Sequence, residues 1–505
     1  MPHHIGSSLT LGLVASDEIQ EATRTLKARL TVDIVDVAAS ARPAIVSALW
    51  SAGGGQLIVW TSSIETADRF ANDCAFYLDH YGSPVLALRP RDDRPGALVN
   101  PTERADRLTF LEALRSGQAG IFCVPHAAAR QPLINPRVFE KDSRRLKVGD
   151  EYPWEELLAA LADMGYERAD VVSAAGEFAV RGGLIDVFPA TADDPLRLEF
   201  FGDRLEQIRT FSLSSQLSAG ERRDAIIVPW SEQALGEADA PLWGYAPKAT
   251  VVMDDPEMLV AIDHGLSVQR DDETVAAVDR DELPEQQDEE DERPTEPSAP
   301  SVQLSVADLV DDLGERPVAS IRSGISSGRL GRKADTTVSI PSQPAPSFGR
   351  SIERFIEYVR KEIERAAVVA IPSVGYRRIT EVLAEHDLAT RAVPNRIALP
   401  PESGAVMAAE GAIDAGFVIP GLRLAVIGDN ELYGHPARRT RRKSAKEGVP
   451  QTVADLTPGE FFVHAHHGIG QYLGLEHIVL DNIGRDFMQL AYAGEDRLYV
   501  PVDQM

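Results

Sequence analysis

Hydrophobic residues follow two spacings in the first part of the chain, and the spacing changes from one segment to the next. Continuous apolar runs at 56–60, 85–88 and 120–124 are typical of buried strands. Between the first two runs, 65–78 has the period of an amphipathic helix. Because strands that alternate with helices predict a parallel sheet, the segment up to about residue 142 is predicted to be an α/β unit.

A different pattern begins near Pro153. Apolar residues at helical spacing, ending before Gly165, predict one helix: Trp154, Leu157, Leu158 and Leu161. Three strand-like runs with turn residues between them follow, at 177–189, 196–201 and 205–211. The pattern predicts an antiparallel sheet with one helix packed against it.

The remaining segments predict two smaller units. Helical segments at 352–365 and 374–386 alternate with strands at 367–371 and 422–427, which indicates a small α/β unit. Short strands are predicted toward the end of the chain at 461–463, 472–480, 487–492 and 498–502. Their spacing suits a small β-barrel, with a tight bend at 468–470 before the second strand.

Three polar stretches separate these units. Residues 270–296 contain 13 acidic and 3 basic residues, and the acidic region at about 268–300 is predicted to be a disordered linker. Residues 323–350 are rich in Ser, Gly and Pro, and 435–446 form a basic run. The 505 residues are therefore expected to form about four folded blocks.

Composition excludes several classes of protein. The net charge of −27 disfavours general coating of nucleic acid. No apolar run is long enough for a membrane span and no signal-peptide pattern is present, so a soluble cytoplasmic protein is expected. With only Cys74 and Cys123, the chain has no disulfide framework and no cysteine-built zinc site.

The sequence contains no recognisable catalytic motif. No GxxxxGK[ST] phosphate loop occurs, and the glycines at 53–55 precede a strand, as in a turn. Asp429 and Glu431 follow a strand and are interpreted as surface carboxylates. The histidines at 464, 466 and 467 are interpreted as part of a turn, with a metal site as the weaker alternative. We therefore predict no catalytic residues, no metal site and no bound cofactor.

One predicted sheet face has an unusual composition. Period-2 alternation in 196–201 places three apolar residues on one face and Arg197, Glu199 and Phe201 on the other. Arg181 of the neighbouring strand reaches that polar face if the two strands lie close. Two interpretations stay open: a protein-binding hot spot, or a Phe201 packed beneath the following turn with both arginines in surface ion pairs. The basic run 438–443 is interpreted as a solvated linker, with a nucleic-acid contact as the alternative.

Four sequence strings carry a family resemblance. GEFAVRGGLIDVFP at 176–189 and RLEFFGDRLEQIRTF at 197–211 resemble a segment shared by UvrB and the bacterial transcription-repair coupling factors. LTPGEFFVHAHHGIGQYLGLEHI at 456–478, with DRLYVPVDQM at 496–505, resembles the RNA-polymerase-interacting module of the coupling factors, which UvrB lacks. The chain is thus similar to the N-terminal part of a transcription-repair coupling factor.

The resemblance implies a multi-domain architecture of α/β and α+β units. A UvrB-like, P-loop-type α/β domain with a degenerate nucleotide site at 36–49 is expected, interrupted by an inserted α+β domain that binds UvrA. A small α/β domain, a basic linker and an SH3/Tudor-like β-barrel are expected to follow. The implied boundaries are 1–143 and 214–345 for the UvrB-like domain, 144–213 for the inserted domain, 346–434, 435–454 and 455–505.

Functional residues are carried over from the same resemblance. Arg181, Arg197 and Phe201 align with the UvrA-contacting residues of the family. Contact with the RNA polymerase β subunit is implied for Ile478 and for the residues around it: His467, Gly468, Ile469, Gly470, Tyr472 and Leu475.

The implied function is that of a monomeric adaptor that binds stalled RNA polymerase and recruits UvrA for transcription-coupled nucleotide excision repair. ATP and magnesium are expected only for a motor lying beyond Met505, which would also make the main contact with DNA. Two alternatives stay open: an ATP-dependent DNA translocase of which this chain is a part, or a stand-alone RNA-polymerase-binding regulator.

Overall fold

The computed structural model describes residues 4–91, 100–232, 238–263, 304–324 and 333–434, and the backbone of four strands nearer the end of the chain. The helices are α1 Ile5–Val14, α2 Asp17–Lys27, α3 Arg42–Gly53, α4 Ile64–Leu78, α5 Pro101–Arg115, α6 His126–Ala129, α7 Pro136–Asp142, α8 Trp154–Asp163, α9 Val306–Asp311, α10 Ile352–Glu364, α11 Tyr376–Glu385 and α12 Asp429–Tyr433. The first twelve strands are β1 Thr31–Val35, β2 Gln56–Thr61, β3 Val85–Ala87, β4 Gly120–Pro125, β5 Arg144–Lys147, β6 Glu167–Arg168, β7 Glu177–Arg181, β8 Leu184–Val187, β9 Leu196–Phe201, β10 Arg204–Phe211, β11 Ser218–Arg222 and β12 Asp224–Ile227. The others are β13 Thr250–Asp254, β14 Val318–Ile321, β15 Thr336–Ser339, β16 Gln343–Pro344, β17 Val368–Pro372, β18 Ala405–Ala409, β19 Phe417–Ile419, β20 Leu424–Val426, β21 Phe461–His464, β22 Gly468–Leu480, β23 Ile483–Tyr492 and β24 Arg497–Pro501.

A seven-stranded parallel sheet forms the first unit, with the strand order β15-β1-β14-β13-β2-β4-β3. Its strands are apolar on both faces because each face is covered by helices. In β2, Leu57 and Val59 pack with α1 to α4, whereas Ile58 and Trp60 pack with α5 on the opposite side. The predicted α/β unit is confirmed. The glycines at 53–55 precede β2 as predicted, where α3 ends at Gly53 and the chain turns with positive φ at Gly54 and Gly55.

The second unit is a six-stranded sheet in the order β11-β10-β9-β8-β7-β6, antiparallel except for the short β6–β7 pair. Helix α8 packs on its inner face, as the periodicity predicts. The core of this sheet is continuous with that of the first unit, because apolar side chains of α5 contact both sheets. A cross-unit hydrogen bond from Thr109 on α5 to the carbonyl of Ala190 (2.9 Å) adds to this contact. The inner face is therefore buried where α5 and α8 cover it, and the outer face of the six-stranded sheet is available to a partner.

The third unit is a five-stranded sheet in the order β16-β19-β20-β17-β18, covered by α10 and α11. It shares a hydrophobic core with the first unit, since helix α1 packs against α3, α4 and β17. The approach is close at Gly12, where an added Cβ would collide with the carbonyl oxygen of Ile397. The predicted helices and strands are present, and the tight contact with α1 joins two segments that the sequence suggested were separate blocks.

The strands at 461–501 form an antiparallel sheet in the order β21-β22-β23-β24. Four strands are predicted and four are present, and closure into an SH3/Tudor-like barrel remains a prediction. The tight bend predicted at 468–470 is wrong, because these residues already pair with β21, with Gly468 opposite His464. Glycine is common in turns, but it adopts extended backbone as well, and here Gly468 and Gly470 lie within a strand. The acidic region 268–300 and the basic run 435–446 lie outside the described residues.

Candidate docking surfaces

Strand β9 has the two faces that its alternation predicts. Leu196, Leu198 and Phe200 are buried on the inner face. Arg197, Glu199 and Phe201 lie on the outer face, where β9 is opposed by β8 and β10. The sequence alone therefore predicted correctly which residues of this strand face outward.

Phe201 is the most exposed large hydrophobic side chain among the described residues, at 82%. It precedes the Gly202–Asp203 turn between β9 and β10, and this turn is tied down by the segment before α8. The carboxylate of Asp203 accepts from the backbone N–H of Trp154 at 2.9 Å, and its carbonyl accepts from Tyr152 at 2.7 Å. Behind Phe201, the ring of Phe200 packs edge-on against Trp154. The alternative in which Phe201 packs beneath the turn is wrong. The ring projects from a turn that is held by hydrogen bonds to the segment before α8.

Arg197 is held by several partners within the chain. Its Nε and Nη2 each donate to the Asp186 carboxylate at 2.7 Å, and Nη1 donates to the carbonyl of Gln216 at 3.3 Å. The guanidinium also lies 4.7 Å from the centre of the Phe211 ring. The hydrogen bonds to Asp186 raise the pKa of Arg197, so its charge is fixed. The sequence-based prediction placed Arg197 on the correct face but missed its partners Asp186 and Gln216. These residues meet Arg197 only because of how the strands are ordered in the sheet.

Arg181 reaches the same face through the strand register. It is opposite Leu184, and Leu184 is opposite Glu199 of β9. Its guanidinium is exposed, and Nη2 donates to the carbonyl of Asp170 at 3.0 Å. The three predicted residues thus share one sheet face.

The other end of this outer face is closed. A small apolar cluster of Val172, Ala179, Phe188 and Phe211 is buried there, with Leu213 packed against it. The residues 212–217 cover part of this cluster. The open area is therefore the end of the face around Phe201.

The carboxyl edge of the seven-stranded sheet corresponds to the place at which parallel α/β folds bind nucleotides. The segment 36–49, predicted to be a degenerate phosphate loop, comprises the connection 36–41 after β1 and the first eight residues of α3. There, buried Arg42 donates to Asp254 at 2.7 Å and to Ser323 at 2.8 Å. Side chains of the chain itself therefore fill this edge.

A second buried pair lies at the same edge. Arg322 donates to the carboxylate of Asp33 at 2.7 Å and also pairs with Glu257. Burial raises the pKa of the nearby Asp254, while Arg42 lowers it. The charges at this edge are thus compensated within the chain.

Hydrogen bonds within the chain also cross the equivalent edge of the five-stranded sheet. The hydroxyl of Ser373, after β17, donates to Asp429, and the backbone N–H of Val374 donates to the same carboxylate at 3.2 Å. Asp429 and Glu431 are both buried. The interpretation of these residues as surface carboxylates is wrong. They lie next to the adjacent ends of β17 and β20, where Asp429 accepts hydrogen bonds from the segment after β17.

Strand β22 contains the residues that the resemblance assigns to RNA polymerase binding. Ile478 is opposite Arg485 of β23. Strand β21 pairs with β22 only at 468–471, so among the described strands the stretch 474–480 has one hydrogen-bonded neighbour. That stretch has the backbone geometry of an edge, to which an extended segment of a partner can add.

Two further observations concern the described residues only. No group of three or more His, Cys, Asp or Glu side chains could hold a metal ion there. No helix in this part of the chain has the length and apolar character of a membrane span. His466 and His467 lie outside the described residues.

Comparison with known proteins defines a class with two modules. Residues 145–232, which include the whole face around Phe201, match the UvrB interaction domain family. Residues 456–505 match the CarD-like/TRCF RID domain family.

Several curated proteins that are similar to most of this chain have the same name. The chain is 26% identical over 522 residues to the transcription-repair-coupling factor of Bacillus subtilis strain 168, and this alignment covers 94% of the chain and 44% of the relative. The factors of Staphylococcus haemolyticus and Staphylococcus aureus strain MRSA252 are 25% and 23% identical over the same shares. The resemblance to transcription-repair coupling factors is confirmed, and the chain spans less than half the length of these relatives.

Proposed function

We propose that this chain is a two-sided adaptor that binds RNA polymerase through residues 456–505 and UvrA through the outer face around Phe201. The observation that carries the proposal is Phe201 itself, an exposed aromatic ring on an anchored hairpin tip within the UvrB interaction domain. Exposed aromatics cost free energy in a solitary protein and are enriched among the anchors of interfaces. Because the tip is already rigid, little conformational entropy would be lost on binding.

The polymerase side of the proposal rests on the match to the CarD-like/TRCF RID domain and on the edge of β22. Main-chain hydrogen bonds to an added strand would supply affinity there, and the side chain of Ile478 would supply apolar contact. The β subunit is the proposed target.

The adaptor is proposed to act without nucleotide chemistry. The Arg42–Asp254 pair supports this, since a guanidinium lies where a phosphate-binding loop would need space for its ligand. Phosphoryl transfer also needs a lysine and backbone donors aimed at the phosphates, and the segment 36–49 has no Gly-Lys pair. Purified chain is expected to show no ATP turnover, with or without DNA.

Binding to the two partners by separate surfaces tests the proposal. Phe201→Ala should weaken binding to purified UvrA by about tenfold or more and leave polymerase binding unchanged. Val374→Ala serves as the matched control, since Val374 is also strongly exposed but lies in the third unit. Undiminished UvrA binding by folded Phe201→Ala would refute the UvrA assignment.

A further inference from the structure

The outer face around Phe201 contains arginines in two different situations, and this difference points to two different roles. We propose that Arg197 and Asp186 are positioning residues that shape the surface, whereas Phe201, Arg181 and Arg204 are the groups that touch the partner. This inference rests on the proposed UvrA-binding function and deepens it. The partner face that fits is an apolar pocket for one aromatic ring with carboxylates at its rim.

Arg197 has few donors left for a partner. Nε and Nη2 donate to the Asp186 carboxylate, and Nη1 donates to the carbonyl of Gln216. The side chain of Arg197 is only 16% exposed. One face of the guanidinium is covered by Phe211. A bidentate contact through Nε and Nη2 with a carboxylate of another protein would require Arg197 to release Asp186.

Releasing Asp186 would be costly. Its carboxylate is buried, and a buried charge without a partner is strongly destabilising. Arg197 also fixes the segment 212–217 through the carbonyl of Gln216. The side-chain amide of Gln216 in turn donates to the carbonyls of Val172 and Leu213, which closes the small apolar cluster. Loss of Arg197 would therefore loosen the sheet face next to Phe201.

Arg204 is in the opposite situation. It lies directly across from Phe201 in the β9–β10 register, so the two side chains leave the same face as neighbours. Its side chain is 59% exposed, and its ion pair is with Glu206, which is itself half exposed. Such surface pairs contribute little free energy, so Arg204 can exchange Glu206 for a partner carboxylate.

Charge around the ring favours an acidic partner. The one carboxylate of β9 on this face, Glu199, is already paired with Arg209 at 2.6 Å. Arg204, opposite Phe201, and Arg181, farther across the same face, both have exposed side chains. The surface thus presents one exposed aromatic ring and two exposed guanidinium groups on the same face.

The positioning role is tested with Asp186→Asn, which keeps the shape of the side chain and removes its charge. Binding to purified UvrA should weaken to within about threefold of Arg197→Ala, and the double variant should be no weaker than Arg197→Ala. Amide hydrogen exchange at 212–217 should speed up in both single variants and stay unchanged in Phe201→Ala. Full UvrA binding by folded Asp186→Asn, beside loss in Arg197→Ala, would show that Arg197 touches the partner directly.

A milder variant covers the case in which Asp186→Asn does not fold. Gln216→Ala removes the amide clamp and leaves Arg197 and Asp186 in place. It should also speed exchange at 212–217 and weaken UvrA binding, by about two- to fivefold. Faster exchange with unchanged affinity would overturn the positioning role.

The contact role is tested with Arg204→Glu and its control Arg222→Glu. Arg222 is an exposed arginine of the same sheet opposite the buried Ile208, so it lies on the other face. Arg204→Glu should weaken UvrA binding by about tenfold and reduce its salt dependence, and Arg222→Glu should do neither. Equal effects of the two variants would overturn the inference about Arg204. If Phe201→Ala still lost UvrA binding in that case, the proposed function would stand without this inference. If Phe201→Ala kept UvrA binding, both the proposed function and the inference would be refuted.

Discussion

Arg42 and Asp254 are joined by a 2.7 Å ion pair at the carboxyl edge of the parallel sheet, and both side chains are about 5% exposed. Arg42 is the first residue of α3 and Asp254 the last residue of β13. The pair therefore fastens the segment after β1 to the neighbouring part of the sheet. A bound nucleotide stabilises this edge in many α/β proteins, and here the chain does so itself.

Removal of Arg42 is expected to destabilise the first unit strongly. Arg42→Ala leaves Asp254 buried without its partner, which costs about 3 to 5 kcal/mol in the free energy of unfolding. Chemical denaturation followed by circular dichroism measures this loss. Exposed Arg24 provides the control, for which Arg24→Ala should change stability by less than about 0.5 kcal/mol. A loss of similar size in both variants would contradict the role given to the pair.

The stability of the folded chain is expected to fall in mild acid because of His126. This ring is fully buried against Trp60, and burial lowers its pKa to about 4, with Asp263 opposing and Arg130 adding to the effect. Since the folded pKa lies below the unfolded value, the neutral ring stabilises the fold fully above about pH 6.5. This contribution, on the order of 3 kcal/mol, is lost as the pH falls from about 6.5 through about 4.

Denaturation curves of His126→Phe measure this contribution. Phenylalanine can still pack on Trp60 but does not titrate. The difference in unfolding free energy between parent and variant should change between pH 7 and about 4.5. A pH-independent difference would show that His126 does not titrate in the expected way.

The contact between the first and third units is expected to depend on Gly12. An added methyl group would meet the carbonyl of Ile397, so Gly12→Ala should destabilise the chain by about 1 to 3 kcal/mol. Gly53 is the matched control: it ends α3 with nothing within 4 Å of an added Cβ. Gly53→Ala should be neutral or slightly stabilising. Thermal unfolding of the two variants compares them, and equal melting points would contradict the close packing of α1.

Ile478→Arg separates two roles for this residue. If Ile478 lies in the polymerase interface, the variant should keep its melting temperature and lose the complex with the β subunit, because an unpaired charge would be buried there. If Ile478 belongs to the core of its sheet, the same change should lower stability by several kcal/mol. A pull-down with the β subunit beside a melting curve distinguishes the two. A folded variant that still binds would rule out Ile478 as a contact.

Local patterns predicted much of the fold and part of the candidate site. The period of two in 196–201 placed Phe201 and Arg197 outward, and helical spacing located α4, α8 and α10. These features depend on neighbouring residues, because the pleat of a strand and the turn of a helix repeat within a few positions. The sequence by itself therefore determined which side chains could share a face.

Tertiary structure decided which distant residues meet. Arg42 and Asp254 are 212 positions apart, and only the strand order of the parallel sheet brings them together. The pairing of β8 with β9 likewise gives Arg197 its buried partner Asp186, on which the proposed positioning role of Arg197 rests. Burial of Asp429, which the sequence pattern placed at the surface, arises from the adjacent ends of β17 and β20. Such pairings depend on chain topology, which no local periodicity encodes, and so they emerge only when the strands of each sheet assemble.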